Sequence, residues 1–118
     1  MKREISSSAN GRVNLLGEHL DYNGGTVLPL QIDKCVKIYL SDNNTNEKIV
    51  IKSKQYDEKI IINHNLVKQG NWSDFVVGAC KIISDKFGIK ISSINFAIDS
   101  DLPIGIGLSS SAAITVAT

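Results

Sequence analysis

Cysteine is scarce in this sequence, and its spacing excludes the common cysteine-based sites. The 118 residues include two cysteines, Cys35 and Cys80, which lie too far apart for a CxxC zinc or redox motif and are too few for a disulfide framework. Apolar neighbours flank both, so we expect two reduced, buried thiols. This cysteine usage favours a reducing compartment and predicts a cytoplasmic protein.

Long apolar runs and an excess of one charge are also missing. No uninterrupted apolar run is long enough for a membrane-spanning helix, and the N-terminal MKREISSS lacks the apolar segment of a signal peptide. The 13 basic and 12 acidic residues give a net charge of +1 without a basic arm, which argues against electrostatic binding of nucleic acid. The sequence therefore predicts neither a membrane nor a nucleic acid as partner.

The residues that are abundant favour a sheet. Isoleucine and valine number 17 and 8, and β-branched residues pack well in strands. Apolar and polar residues alternate from Val36 to Ser41, which is the period of a half-buried strand. A polar loop is expected at 42–46, and the spacing of the strands predicts an antiparallel meander. Further strands are expected to end near Gly17 and to lie at Lys48–Lys52, Lys59–Asn63 and Ile94–Ile98.

One helix is predicted over Asp74–Phe87. Ser73 is a favourable N-cap residue, Asp74 places negative charge in the first turn, and Gly88 is a natural residue to end the helix. An apolar face follows helical spacing and is expected to pack on the core. Its members are Val76, Ala79, Cys80, Ile83 and Phe87.

The last stretch of the sequence, residues 102–118, carries no charge. A second helix is expected to start at about Ser109 and to be truncated after about two turns, without closing residues. We therefore expect a chain cut inside a larger domain, poorly stable alone and prone to self-association. The apolar side chains expected to lack partners are Leu108, Ala112, Ala113, Ile114, Val116 and Ala117.

Glycines and hydroxyls are concentrated between Gly105 and Ala113. Gly105 and Gly107 permit tight bends, and the serines 109–111 precede a helical run whose first amides can bind an anion. No Gly-Lys-Ser/Thr follows, so the segment is not a Walker A loop. It favours phosphate binding, and the alternative is a glycine-rich turn before a serine-capped helix.

A second polar cluster joins Arg12 to the loop Glu18–Asn23. Carboxylates and an imidazole in a loop of Gly and Asn suit a ligand rich in hydroxyls. Arg12 could stabilise phosphoryl charge or lower the pKa of a nearby carboxylate. The alternative is a solvated polar turn, and a metal site is disfavoured because the HExxH spacing is absent.

Three segments together resemble a known family. Gly11–Gly25 is similar to the galactokinase signature, and Leu102–Ala113 is similar to the phosphate-loop motif of GHMP kinases (galacto-, homoserine, mevalonate and phosphomevalonate kinases). Trp72-x-x-Phe75-Val76-x-Gly78 also resembles the start of a galactokinase helix. The order and spacing of these motifs agree over nearly the whole chain.

The resemblance implies an α+β fold of the ribosomal protein S5 domain 2-like kind, with a mostly antiparallel sheet and helices at about 73–87 and from about 109. Residues 1–118 would be an incomplete GHMP kinase N-terminal domain, with a sugar loop at 11–25 and a phosphate loop at 102–113. The family's catalytic Asp, its acidic Mg²⁺ ligand and its C-terminal domain lie beyond the phosphate loop. The isolated chain is therefore expected to be inactive.

The resemblance also implies roles for individual residues. The family transfers the γ-phosphoryl group of ATP to the C1 hydroxyl of galactose, and Arg12 would stabilise that transfer and keep the catalytic carboxylate ionised. The sugar would be bound by Glu18, His19, Leu20 and Asp21. The ATP phosphates would be wrapped by Gly105, Ile106, Gly107, Leu108, Ser109, Ser110 and Ser111, with Ser111 as the Mg²⁺ ligand.

Two positions depart from the family pattern. Asn10 stands where Pro is usual, which is expected to loosen the turn before Arg12. Leu20 replaces a common Thr, at a position that varies in relatives using other sugars. The alternatives are therefore a kinase for an N-acetylhexosamine or another sugar, and a non-catalytic sensor of sugar and ATP.

Overall fold

A computed structural model describes residues 4–44, 48–103 and 105–118. Positions 45–46 of the predicted loop and Ile104 of the phosphate loop lie outside the described residues. In the described part of the chain, no helix is both long and apolar enough to cross a membrane. The strands are β1 (Glu4–Leu16), β2 (Leu28–Asp42), β3 (Lys48–Ser53), β4 (Glu58–Asn63) and β5 (Ile94–Ser100), and the helices are α1 (Asp74–Phe87) and α2 (Ser110–Ala117).

The five strands form one mixed sheet in the order β1-β2-β5-β3-β4. Three neighbouring pairs are antiparallel and β3 runs parallel to β5, so the mostly antiparallel sheet is confirmed. The simple meander is wrong, because β5 lies between β2 and β3. The chain between β3 and β5 passes through β4 and α1, and a connection of that length allows a parallel pair.

The core lies between one face of the sheet and the two helices. Val36 and Ile38 of β2 are fully buried, as predicted from their alternation with polar residues. Burial raises the pKa of the Cys80 thiol to about 11, so this cysteine is an inert core residue. Cys35 is only half-buried, in contrast to the prediction. The other buried apolar residues of this core include Ile49, Ile51, Val76, Phe96 and Ile114.

Helix α1 has the predicted bounds, and Gly88 ends it in a left-handed conformation at φ 64°. Ser73 is the N-cap residue as predicted, but its side chain makes no capping bond. Its hydroxyl instead donates to Asn71 Oδ1 at 2.7 Å, and the same oxygen accepts the Ser73 amide at 2.9 Å. Phe87 is 65% exposed, so the buried part of the apolar face ends before the last turn.

Helix α2 packs against β1, β2 and α1. Its expected exposure is largely wrong, because Ala113, Ile114 and Ala117 are buried in these contacts. Val116 alone of the helix's apolar side chains named above is mostly exposed, at 77%. The hydroxyl of Ser7 in β1 donates to the carbonyl of Ala117, which ties the end of the helix to the edge strand. This packing fixes where the first turn of α2 points.

Candidate active site

The tip of the sugar loop, residues 17–25, is organised mainly by hydrogen bonds within itself. The amide of Leu20 donates to Gly17 O at 3.0 Å, and the amide of Gly25 donates to Leu20 O at 2.8 Å. The Asn23 side chain donates to His19 O at 2.7 Å. These bonds produce a compact turn that contains the four sugar-binding residues predicted from the sequence.

Within this tip, the predicted side chains are exposed. Glu18 and Asp21 face solvent, so their carboxylates are available to hydroxyl groups of a ligand. His19 adopts a left-handed backbone at φ 62°, and its Nδ1 lies 2.5 Å from the Tyr22 hydroxyl. Leu20 is 42% exposed and can contact the same ligand. The tip is therefore a polar, open surface with one apolar side chain.

The phosphate loop presents open backbone. Gly105 and Gly107 both have φ 75°, a conformation that side chains disfavour, and a Cβ at either would meet nothing within 4 Å. The first bond of α2 runs from the amide of Ala113 to Ser109 O at 2.9 Å. The preceding amides therefore remain unused within the helix, and together with the helix dipole they attract an anion. Ser111 is exposed in this first turn.

The two motifs meet at Gly11 and Arg12 of β1. The amide of Arg12 donates to Leu108 O at 3.3 Å. A Cβ at Gly11 would lie 2.4 Å from Leu102 Cδ2 and 2.8 Å from Leu108 O. Only glycine allows this approach, so the phosphate loop rests directly on β1. We call this contact of Gly11 and Arg12 with Leu102 and Leu108 the junction.

A cleft of about 330 Å³ lies beside the junction, between the β1–β2 hairpin and α2. Arg12 and Ser109 both line it, so the structure brings the predicted catalytic arginine to the start of α2. Residues 18–21, which were predicted to bind the sugar, are not part of its lining and lie further along the hairpin. The remaining lining residues are Ser8, Ala9, Asn10, Gln31, Ala112, Ala113 and Val116.

The donors in this region suit a triphosphate with Mg²⁺ held through it. Free amides and serine hydroxyls surround the start of α2, and Arg12 supplies a permanent positive charge. Among residues 4–44, 48–103 and 105–118, no group of three or more His, Cys, Asp or Glu could hold a metal. A serine hydroxyl of this region can contribute one ligand to a Mg²⁺ that is also held by phosphate oxygens.

The sequence alone did not identify two polar residues of the cleft. Gln31 is the cross-strand partner of Arg12, which only the strand register reveals. Asn10 was expected to loosen the turn before Arg12, and this stays a prediction. Its side chain donates to Ile32 O at 2.8 Å and bridges the two strands at that point.

The sequence was compared with models of known protein families and with known proteins. The model of the galactokinase galactose-binding signature matches residues 2–41, and the model of the GHMP kinases N terminal domain matches residues 74–118. The chain is therefore similar to GHMP kinases over both of these segments. Its curated relatives include galactokinases of Thermosipho africanus, 44% identical over 93% of the chain, and of Pyrococcus furiosus, 39% identical over 96%. The chain spans about 30% of the length of these relatives.

Solved structures agree with the expected fold. Lactococcus lactis galactokinase complexed with galactose matches with a TM-score of 0.80 at 28% identity, over 96% of this chain and 30% of that chain. Methanococcus jannaschii mevalonate kinase matches with a TM-score of 0.79 at 24% identity, over 99% of this chain and 38% of that chain. The second likeness concerns the fold alone. The expected GHMP kinase fold is therefore confirmed for the described residues.

Proposed function

We propose that this chain supplies the sugar-binding and phosphate-binding parts of an ATP-dependent galactokinase. The observation that carries the proposal is the shared cleft, in which Arg12 of the hairpin and Ser109 at the start of α2 lie together. The same hairpin bears the exposed tip of the sugar loop. A sugar bound at the tip and a triphosphate bound at α2 would therefore approach each other beside Arg12.

The phosphate loop, residues 102–113, would bind ATP through its open backbone. The amides at the start of α2 would donate to phosphate oxygens, and Ser111 would ligate the Mg²⁺ that neutralises part of the phosphate charge. Arg12 would add positive charge where the transferred phosphoryl group develops negative charge. Because phosphoryl transfer depends mainly on positioning and charge neutralisation, these groups account for much of the chemistry.

The sugar loop, residues 11–25, would bind galactose. Glu18 and Asp21 would accept hydrogen bonds from sugar hydroxyls, His19 would hydrogen-bond another, and Leu20 would contact the sugar and influence which sugar fits. The C1 hydroxyl would be the acceptor. Arg12 stays protonated at neutral pH and cannot take its proton, so that task falls to the carboxylate that the family carries beyond the phosphate loop.

The experiment uses a chimera, because the relatives are about three times as long as this chain. In the chimera, this sequence replaces the matching 110-residue segment of Thermosipho africanus galactokinase. We expect ADP release that depends on galactose and Mg-ATP, with galactose 1-phosphate as product. The unaltered relative is the positive control, and a panel including N-acetylgalactosamine tests the sugar.

The outcomes distinguish the alternatives. A folded chimera that turns over no hexose contradicts the proposal. Galactose and nucleotide binding without turnover favours a sensor, provided that the relative's own sequence supplies an intact carboxylate. A preference for N-acetylgalactosamine would support the assignment as a sugar kinase but would change the proposed substrate.

A further inference from the structure

The β1–β2 ladder is interrupted next to Arg12. Asn10 pairs with Cys35, whereas Arg12 pairs with Gln31. Residues 32–34 of β2 therefore stand opposite Gly11 alone, as a bulge. A bulge bends the strand and re-aims the side chains that follow it, and here Arg12 follows directly.

The bulge separates two parts of the hairpin. On one side, β1 and β2 belong to the sheet on which α2 packs. On the other side lies the part that we call the arm, residues 12–31, which carries Arg12 and the whole tip of the sugar loop. The direction of the arm at the bulge therefore contributes to the position of the sugar loop relative to the phosphate loop, together with a second register shift between Asn14 and Leu16.

A side chain spans this bulge. Asn10 Nδ2 donates to Ile32 O at 2.8 Å. Residues of a bulge are left out of the regular ladder, and here the Asn10 side chain supplies a donor to the Ile32 carbonyl. The bond joins the last regular residue of β1 to the first residue of the bulge.

We infer that Asn10 is a positioning residue, whose bond to Ile32 fixes the bulge and with it the direction of the arm. The inference rests on the proposed function, because it concerns the alignment of a bound sugar with a bound triphosphate. Asn10 acts through Arg12 and the arm, and touches neither substrate in this role.

This role has a specific kinetic consequence. The proposed sugar-binding residues and Arg12 lie on the arm, whereas the proposed ATP-binding amides and hydroxyls lie on the phosphate loop and α2. Releasing the bulge should therefore leave the affinity for each substrate alone unchanged while misaligning the two when both are bound. Turnover should fall, because transfer depends on the alignment of the reacting atoms.

The first test is Asn10→Ala in the chimera. We expect kcat to fall about tenfold, since small misplacements near reacting atoms have effects of this size or larger. The dissociation constants of galactose alone and of a non-hydrolysable ATP analogue alone should stay within about twofold. Asn10→Asp retains the shape but loses the donor, so its turnover should fall at least as far.

Asn43→Ala is the matched control. The Asn43 side chain also donates to a backbone carbonyl, that of Lys48, at 3.0 Å, and it does not line the cleft. Its kcat should match that of the unsubstituted chimera. If Asn10→Ala lowers galactose or nucleotide affinity as far as turnover, Asn10 contacts a ligand and the inference is wrong.

The second test is independent of activity and uses the 118-residue chain. The amide of Arg12 is bonded to Leu108 O at the junction, and Arg12 directly follows the bulge, so its hydrogen exchange should respond when the bulge is released. Asn10→Ala should speed this exchange about tenfold, whereas Asn43→Ala should leave it unchanged. A tenfold change corresponds to a loss of about 1.4 kcal/mol of local protection. Unchanged exchange at Arg12 overturns the inference, even if the chimera proves inactive and the proposed function fails.

Discussion

The tip of the sugar loop and the phosphate loop are stabilised in different ways. The tip is held largely by hydrogen bonds among its own residues, such as those from Leu20 to Gly17 and from Gly25 to Leu20. The phosphate loop is held by contacts from elsewhere, with Leu102 fully buried and Leu108 bonded to Arg12. The first is local structure at the end of an arm, and the second is part of the core packing.

This difference indicates which changes should remain local. A substitution in the tip should alter sugar binding and leave the stability of the domain unchanged. A substitution at the junction should disturb stability and both substrate sites together, because β1, the phosphate loop and α2 meet there. The junction is therefore the place where the two motifs become one site.

The largest expected effect comes from Arg12→Ala. Arg12 is exposed at the cleft, so replacing it should not unfold the protein. Turnover of the chimera should fall by about 10²–10³-fold, which is the usual effect of removing one preorganised donor that stabilises charge in the transition state. Steady-state kinetics with galactose and Mg-ATP measure this. Turnover close to that of the unsubstituted chimera would remove Arg12 from the mechanism.

Gly11→Ala should break the junction itself. The added Cβ would lie 2.8 Å from the carbonyl oxygen of Leu108, and relief of such overlap costs about 1–3 kcal/mol of stability. Denaturant unfolding of the chain measures this change. Gly78→Ala is the control, because a Cβ there meets nothing within 4 Å, and replacing a helical glycine should raise stability by about 0.4–1 kcal/mol. Equal effects of the two substitutions on the free energy of unfolding would contradict the close contact between Gly11 and Leu108.

Asp21→Asn should weaken sugar binding alone. Asp21 is exposed in the tip, and loss of a hydrogen bond to its charged carboxylate should raise the dissociation constant of galactose about tenfold. Calorimetry on the chimera measures it, with the melting temperature as a check on folding. A fall in the melting temperature would show that the tip contributes to the domain's stability, against the comparison drawn above.

Ser111→Ala should have the smallest effect. The loss of one hydroxyl near the phosphates should lower kcat about threefold to tenfold, through weaker placement of Mg²⁺. Galactose affinity should not change, because the sugar-binding residues form a separate group on the arm. Parallel losses of turnover and galactose affinity would contradict the separation of the two sites.

Local signals in the sequence were sufficient to predict several elements of the structure. Helix α1 has its predicted bounds because the apolar spacing lies within the helix and Gly88 directly follows its last residue. Both loops were also found from local composition, namely glycines before serines and carboxylates around His19. In each case the residues that define the feature are neighbours in the chain.

Features that depend on distant residues were missed. The insertion of β5 between β2 and β3 depends on how the chain returns after α1, which no local pattern records. The bridge from Asn10 to Ile32 requires the strand register, and the shared cleft requires contact between Gly11 and Leu108, which lie near opposite ends of the chain.

The central claim is that Arg12 and the start of α2 act on the same phosphoryl group. A crystal structure of the chimera with galactose and a non-hydrolysable ATP analogue tests it most directly. The account predicts a γ-phosphate within hydrogen-bond distance of both the Arg12 guanidinium and the amides at Ser109–Ser111, with galactose on the tip of the sugar loop. A γ-phosphate bound away from Arg12, with that side chain in solvent, would contradict it.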